Sequence, residues 1–193
     1  MNRLLFLLLT LTAFASAQGP TYPYTVNLSF TASTGTVTGY NMYRSPYTSA
    51  CGSYAKLNAT PFTGTTYTDN NPPQGAYCYG ATALDGTVES GFSNIDSNLQ
   101  IPPPPPTNLG YTIAKDGSKE DLIFAWTNPD GTLDANTLYC GPTEPNARAF
   151  KITPHSTGLR LYSAPTGKEK CAITASSKTG ESGLSNTISI DVP

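Results

Sequence analysis

Pro102 to Pro106 is an unbroken run of five prolines in a chain of 193 residues. Such a run prefers an extended polyproline helix, rising about 3.1 Å per residue, and acts as a semi-rigid spacer. It predicts two folding units of similar size, residues 18–101 and 107–193, with 102–106 as the linker. The chain also holds 17 Gly and 17 Pro, too many for a helical bundle.

The first residues read as a leader. Asn2 and Arg3 precede the apolar stretch Leu4-Leu5-Phe6-Leu7-Leu8-Leu9, and Ala15-Ser16-Ala17 is a small-x-small cleavage pattern. Residues 1–17 are therefore expected to be a signal peptide, leaving Gln18 as the new N-terminus. The rest of the chain has no apolar run of membrane-spanning length. The expected location is secreted, extracellular or periplasmic, with no membrane span after cleavage.

Charge narrows the partners. Eleven Lys and Arg against 13 Asp and Glu give a net charge of -2. That balance argues against nucleic acid or an anionic membrane as the main partner. Residues 18–101 carry just Arg44, Lys56, Asp69, Asp85, Glu89 and Asp96. The surface of this half is expected to be Ser, Thr, Asn, Gly and Tyr.

The two halves repeat. Glu89-Ser90-Gly91-Phe92-Ser93-Asn94 returns as Glu181-Ser182-Gly183-Leu184-Ser185-Asn186, and Ala83 and Ala175 share that offset. The cysteines are Cys51, Cys78, Cys140 and Cys171, an even number in an exported chain, which points to disulfides. Three pairings are possible. The simplest keeps each bridge within its half, Cys51 with Cys78 and Cys140 with Cys171. Each bridge contributes on the order of 3 kcal/mol in loop-entropy terms.

Period-two alternation predicts β-strands. Val26, Leu28 and Phe30 share one face, as do Leu122, Phe124 and Trp126, and Tyr77, Tyr79, Ala81 and Ala83. Turn chemistry marks Ser33-Thr34-Gly35, Asp69-Asn70-Asn71-Pro72, Asp85-Gly86 and Asn128-Pro129-Asp130-Gly131. No segment carries a helical period, and the fold class expected is all-β.

In combination these segments resemble fibronectin type III domains in tandem, of the bacterial secreted type. Gly39-Tyr40-Asn41-Met42-Tyr43-Arg44-Ser45 looks like that family's third strand. Tyr54 to Asn58 and Thr65 to Asp69 look like the segments that follow it. Tyr77 to Leu84 and Glu89 to Asn94 look like its last hairpin. The resemblance covers about residues 24–100 and implies two immunoglobulin-like, seven-stranded, two-sheet sandwiches. Phe30 takes the place where the family often has a buried Trp. In the second half Pro106-Thr107-Asn108-Leu109 resembles the domain opening and Trp126 the core Trp. Glu169 stands where the last-hairpin Tyr belongs, and 137–165 departs from the pattern, so this half is a divergent fibronectin type III-like or a more general immunoglobulin-like domain. With Tyr77 and Tyr79 facing the core, Cys78 faces outward, whereas Cys171 is level with Tyr79 and faces inward.

Chemistry is sparse. His155, the single histidine, sits beside Pro154 in a loop, with no nucleophile-elbow serine. Glu120-Asp121 and the pair Asp130 and Asp134 are the local acidic clusters a glycosidase could draw on, and Asp130 and Asp134 read as solvated turn acids rather than a calcium loop. No catalytic residue, metal ligand or cofactor site is expected, and the chain does not read as an enzyme. Asn27-Leu28-Ser29 and Asn58-Ala59-Thr60 match the glycosylation triplet by chance.

Nine of the 12 tyrosines lie in residues 18–101. Tyr40, Tyr67, Tyr77 and Tyr79 fit core positions, while Tyr22, Tyr24, Tyr43, Tyr47 and Tyr54 remain as a candidate binding surface. Trp126 reads as core, so no Trp platform for sugars is present. The function expected is a secreted, non-catalytic binding or adhesion module for an extracellular protein or glycan. The alternative is self-association, as a structural subunit built by pairing of strand edges, since little room exists for a first strand between Gln18 and Tyr24.

Overall fold

The computed structural model describes residues 9–10, 22–116, 119–145, 148–153, 156–162 and 166–192. The chain divides into two compact units, one built on Pro23–Ile101 and the other on Pro102–Pro193. Both are all-β and antiparallel.

In the first unit, β1 (Leu9–Thr10), β2 (Thr25–Phe30) and β5 (Thr66–Asn70) form one sheet in the order β1-β2-β5. The second sheet runs β4 (Ala55–Lys56), β3 (Gly39–Pro46), β6 (Gly75–Asp85), β7 (Val88–Glu89), with β8 (Asp96–Ile101) also pairing with β6. The core between the sheets follows from side-chain alternation. Even residues of β2 (Val26, Leu28, Phe30) and odd residues of β6 (Tyr79, Ala81, Ala83) point inward and are buried, with Tyr40 and Met42 from β3. Phe30, Tyr40, Phe62 and Tyr67 form an edge-and-tilt aromatic lattice, with neighbouring centroids 4.8 to 6.1 Å apart. Each such contact adds about 1 kcal/mol to the area it buries.

The sheets are also clasped by charge. Arg44 on β3 donates to Asp69 on β5 at 2.7 Å, and the Tyr79 hydroxyl donates to the same oxygen at 2.8 Å. Burial pushes the Tyr79 phenol well up, and the Asp69 carboxylate adds to the shift.

The second unit repeats the plan. One sheet is β13 (Gly158–Leu161), β10 (Lys119–Thr127), β9 (Thr107–Asp116). The other is β12 (Arg148–Ile152), β11 (Ala135–Gly141), β14 (Gly167–Ser177), β15 (Gly180–Glu181), with β16 (Ile188–Val192) on β14. Trp126 is buried in this core with Leu122, Phe124, Leu138 and Ile173. The ion pairs differ: Arg160 binds Asp121 on the neighbouring strand, and Arg148 binds Glu169. Glu169, in the place of the last-hairpin Tyr, thus puts an ion pair with Arg148 on the core-facing side of its strand, beside the Cys140–Cys171 bridge.

The disulfides are Cys51–Cys78 and Cys140–Cys171, one within each unit. They are built differently. Cys140 and Cys171 are directly opposed residues on β11 and β14 and belong to the core. Cys78 is fully buried but lies on the outer side of β6, where the loop carrying Cys51 covers it. Positive φ marks anticipated turns at Gly35, Asn71, Gly86 and Gly131, while Asp69, Asn70 and Asp85, expected in turns, end strands β5 and β6. The proline run lies with the second unit, where Pro103 and Pro106 are fully buried, rather than standing as a solvated spacer. Proline brings no amide donor to satisfy, so its ring buries at little polar cost.

Candidate binding face

The outer face of the five-stranded sheet in the first unit is covered, which a sheet facing water does not require. Asn41 and Ser45 on β3, and Cys78 and Thr82 on β6, all point away from the core yet are buried. The cover over Asn41 and Thr82 is the repeated motif Glu89 to Asn94.

Its serines fasten it. The Ser90 amide donates to Ala83 C=O, and the Ser90 hydroxyl accepts from Ala83 N–H. Ser93 does the same with Ala81. Each serine therefore satisfies both backbone groups of its partner, replacing a strand where the chain leaves regular pairing. The second unit uses the same device, Ser182 on Ala175 and Ser185 on Ile173.

Between the serines, the motif lays Phe92 over Gly80. A Cβ at Gly80 would come within 2.5 Å of Ile95 Cδ1 and 3.2 Å of Phe92 Cδ1, so the missing side chain makes room for both. Phe92 meets Tyr43 edge-on at 5.1 Å and Tyr54 at 4.6 Å with a 37° tilt. Phe92 is 43% exposed, and the two tyrosines are half-buried. Beneath them, Glu89 Oε1 accepts hydrogen bonds from the Asn41 amide, the Tyr43 hydroxyl and the Thr82 hydroxyl. These bonds hold the Glu89 carboxyl below its ordinary range. Burial raises the Tyr43 phenol, and Glu89 raises it further; burial alone raises Tyr54. Glu89 Oε2 accepts no hydrogen bond from the described residues. The result is a three-ring apolar patch with one ionised oxygen at its margin.

The tyrosines singled out in the sequence separate here. Tyr43 and Tyr54 come together. Tyr47 sits beside the bridge, paired with Cys51, and Tyr22 is exposed. Tyr24 is a correction: expected at the surface, it is buried in the core with Val26 and Leu28. Phe92 went unnoticed as a site residue, although it occupies the one position that differs between the two copies of the motif.

Asn58 is no glycan acceptor in this fold. Its oxygen accepts from Met42 N–H and its amide donates to Asn41 and Thr60, tying the start of the next loop to β3. Asp130 and Asp134 are exposed turn residues. Cys140, Glu169 and Cys171 place ligand-type atoms within 4.8 Å, but both sulfurs are spent in the disulfide. His155 lies outside the described residues. Among those residues, no helix is long and apolar enough to cross a membrane.

No protein-family model matches the sequence, and no curated protein matches it. Solved structures match in fold. A two-domain fibronectin type III segment of chicken tenascin superposes with a TM-score of 0.58 at 13% identity, covering 95% of this chain and 98% of that one. The fold is that of fibronectin type III domains in tandem. The FN1–FN3 domains of chicken CNTN1 are a second neighbour, at TM-score 0.43 and 16% identity, with 91% of this chain and 64% of that one covered.

The two fibronectin type III-like units differ at the ring face. In the second, Tyr139 and Thr174 donate to Glu181 as Tyr43 and Thr82 do to Glu89. Leu184 stands in the place of Phe92 and is 48% exposed. The hydrogen-bonded acid is thus kept in both units, and the Phe92 ring belongs to the first alone.

Proposed function

We propose that the chain is exported, loses residues 1–17, and works as a non-catalytic binding module whose face is Tyr43, Tyr54 and Phe92 in the first unit. The observation that carries this reading is the half-exposed ring cluster bordered by a single ionised carboxylate. Flat aromatic faces beside a hydrogen-bond acceptor suit a sugar ring, whose C–H face stacks while a hydroxyl donates to the acid. Glu89 disfavours anionic sugars, so the glycan class is neutral. Two disulfides are consistent with an oxidising location.

The test is a glycan array probed with the exported chain and with Phe92→Ala. Neutral glycans are expected to bind, and Phe92→Ala to reduce their affinity about tenfold, a loss of about 1.4 kcal/mol. Equal binding by the variant, or binding restricted to sulfated and uronate sugars, defeats the proposal. Silence on the array, with a purified protein partner lost on the same substitution, transfers the face to a protein ligand.

A further inference from the structure

Among the described residues, the strand that closes the first unit's sheet edge beside β2 belongs to the leader. Opposite β2 stands β1, Leu9 against Phe30 and Thr10 against Ser29, and both belong to residues 1–17. The second unit shows what the plan calls for. There β9 pairs along β10 from Lys119 to Thr127, with Gly110 opposite Ala125 beside the buried Trp126. Phe30 and Trp126 hold matching places, so Thr10 stands where Gly110 does, and Leu9 follows in the place of Leu109. The leader thus occupies the register of a first strand, and the sequence leaves little room between Gln18 and Tyr24 for another. Pro20 and Pro23 lie in that segment and bring no amide hydrogen to a ladder.

The backbone of β2 determines what fits there. Phe30 N–H donates to Thr65, and Tyr24 C=O accepts from Asn71, so its even residues spend their backbone groups toward β5. In an antiparallel ladder the odd residues then turn theirs the other way. Thr25, Asn27 and Ser29 present N–H and C=O at the edge. The strand Thr-Val-Asn-Leu-Ser-Phe carries no Lys, Glu or Pro, the residues that guard edges against pairing.

We propose that, once residues 1–17 are removed, β2 pairs with β2 of a second copy across a two-fold axis at Leu28. The register is self-complementary. Asn27 meets Ser29 of the second copy as a hydrogen-bonded pair, Val26 meets Phe30, and Leu28 meets Leu28. Every opposed pair keeps its side chains on one face, so the apolar set of each copy continues into the other. A continuous sheet β5-β2-β2-β5 results. An isologous contact of this kind closes at two copies.

The inference rests on the removal of the leader proposed above, and mass spectrometry of the exported chain reports that removal separately. Size separation with light scattering is then run on the chain beginning at Gln18, over a wide concentration range. A dimer that dissociates on dilution is expected. Asn27→Pro deletes one edge amide, along with the bond its side chain accepts from the Thr68 hydroxyl on β5, and should give a monomer with an unchanged far-ultraviolet spectrum. The double variant Asn27→Lys with Ser29→Lys sets like charges directly opposite and should also be monomeric, should Asn27→Pro fail to fold. A monomer at every concentration, open-ended polymers, or a dimer that survives both variants overturns the proposal. None of these residues lies on the ring face, so glycan binding is read independently.

Discussion

Glu89 is the residue where charge and fold meet in the first unit. Its carboxyl is held below the usual range by the Asn41, Thr82 and Tyr43 hydrogen bonds. The folded state therefore binds fewer protons than the unfolded state as the pH falls. The stabilisation is complete above the unfolded carboxylate pKa and is lost as the pH drops through the folded one. Thermal melts between pH 3 and 7 are expected to show the first unit weakening on the acid side, with Glu89→Gln flattening the profile. An identical profile in that variant refutes the assignment. Arg44→Met leaves Asp69, largely buried, without its cation. Because Arg44 keeps part of its side chain in water, the expected loss is about 2 to 3 kcal/mol, at the low end for broken buried pairs. Chemical denaturation followed by tyrosine fluorescence measures it. Residue by residue, much of this was legible. The alternation that put Val26, Leu28 and Phe30 inward extends two residues back to Tyr24, and neglecting that extension sent Tyr24 to the surface. Phe92 escaped because exposure of a ring depends on what lies under it, here Gly80, which is distant in sequence.

At the scale of the element, the repeated motif is a strap fastened by serine side chains. Ser90→Ala and Ser93→Ala each leave a β6 amide without its acceptor, at a cost of about 1 to 2 kcal/mol. The loss should fall on the first unit alone, with Ser182→Ala producing its counterpart in the second, as read by hydrogen exchange at the Ala83 and Ala175 amides. Gly80→Ala tests the strap from below. The new methyl must displace the flexible end of Ile95 and crowd Phe92. A stability loss of about 1 kcal/mol is expected, with a larger fractional loss of glycan binding, because the ring is shifted while the core is untouched. The offset between the two motif copies was readable from letters alone. Its mechanical role was not, because the serines act on backbone groups whose direction follows from strand register.

At the scale of the whole chain, the two bridges should part company under a reductant. Cys140–Cys171 is enclosed in the core, while Cys51 is partly exposed on a loop. Stepwise reduction with alkylation and mass spectrometry is expected to label Cys51 and Cys78 first. Simultaneous labelling of all four would remove the distinction. The two-unit plan was legible in the proline run and the repeat. The affiliation of the run with the second unit was not, since a polyproline stretch reads as solvated until its rings find a surface. The bridges also set how the chain responds to pulling. Tension applied at the ends passes through a disulfide and bypasses the loop it closes, with sequence separations of 27 and 31 residues. Roughly 90 Å and roughly 105 Å of contour are thereby held in reserve, at about 3.4 Å per extended residue. In an oxidising medium the chain under tension is expected to yield in shorter steps, and a local reductant to lengthen them.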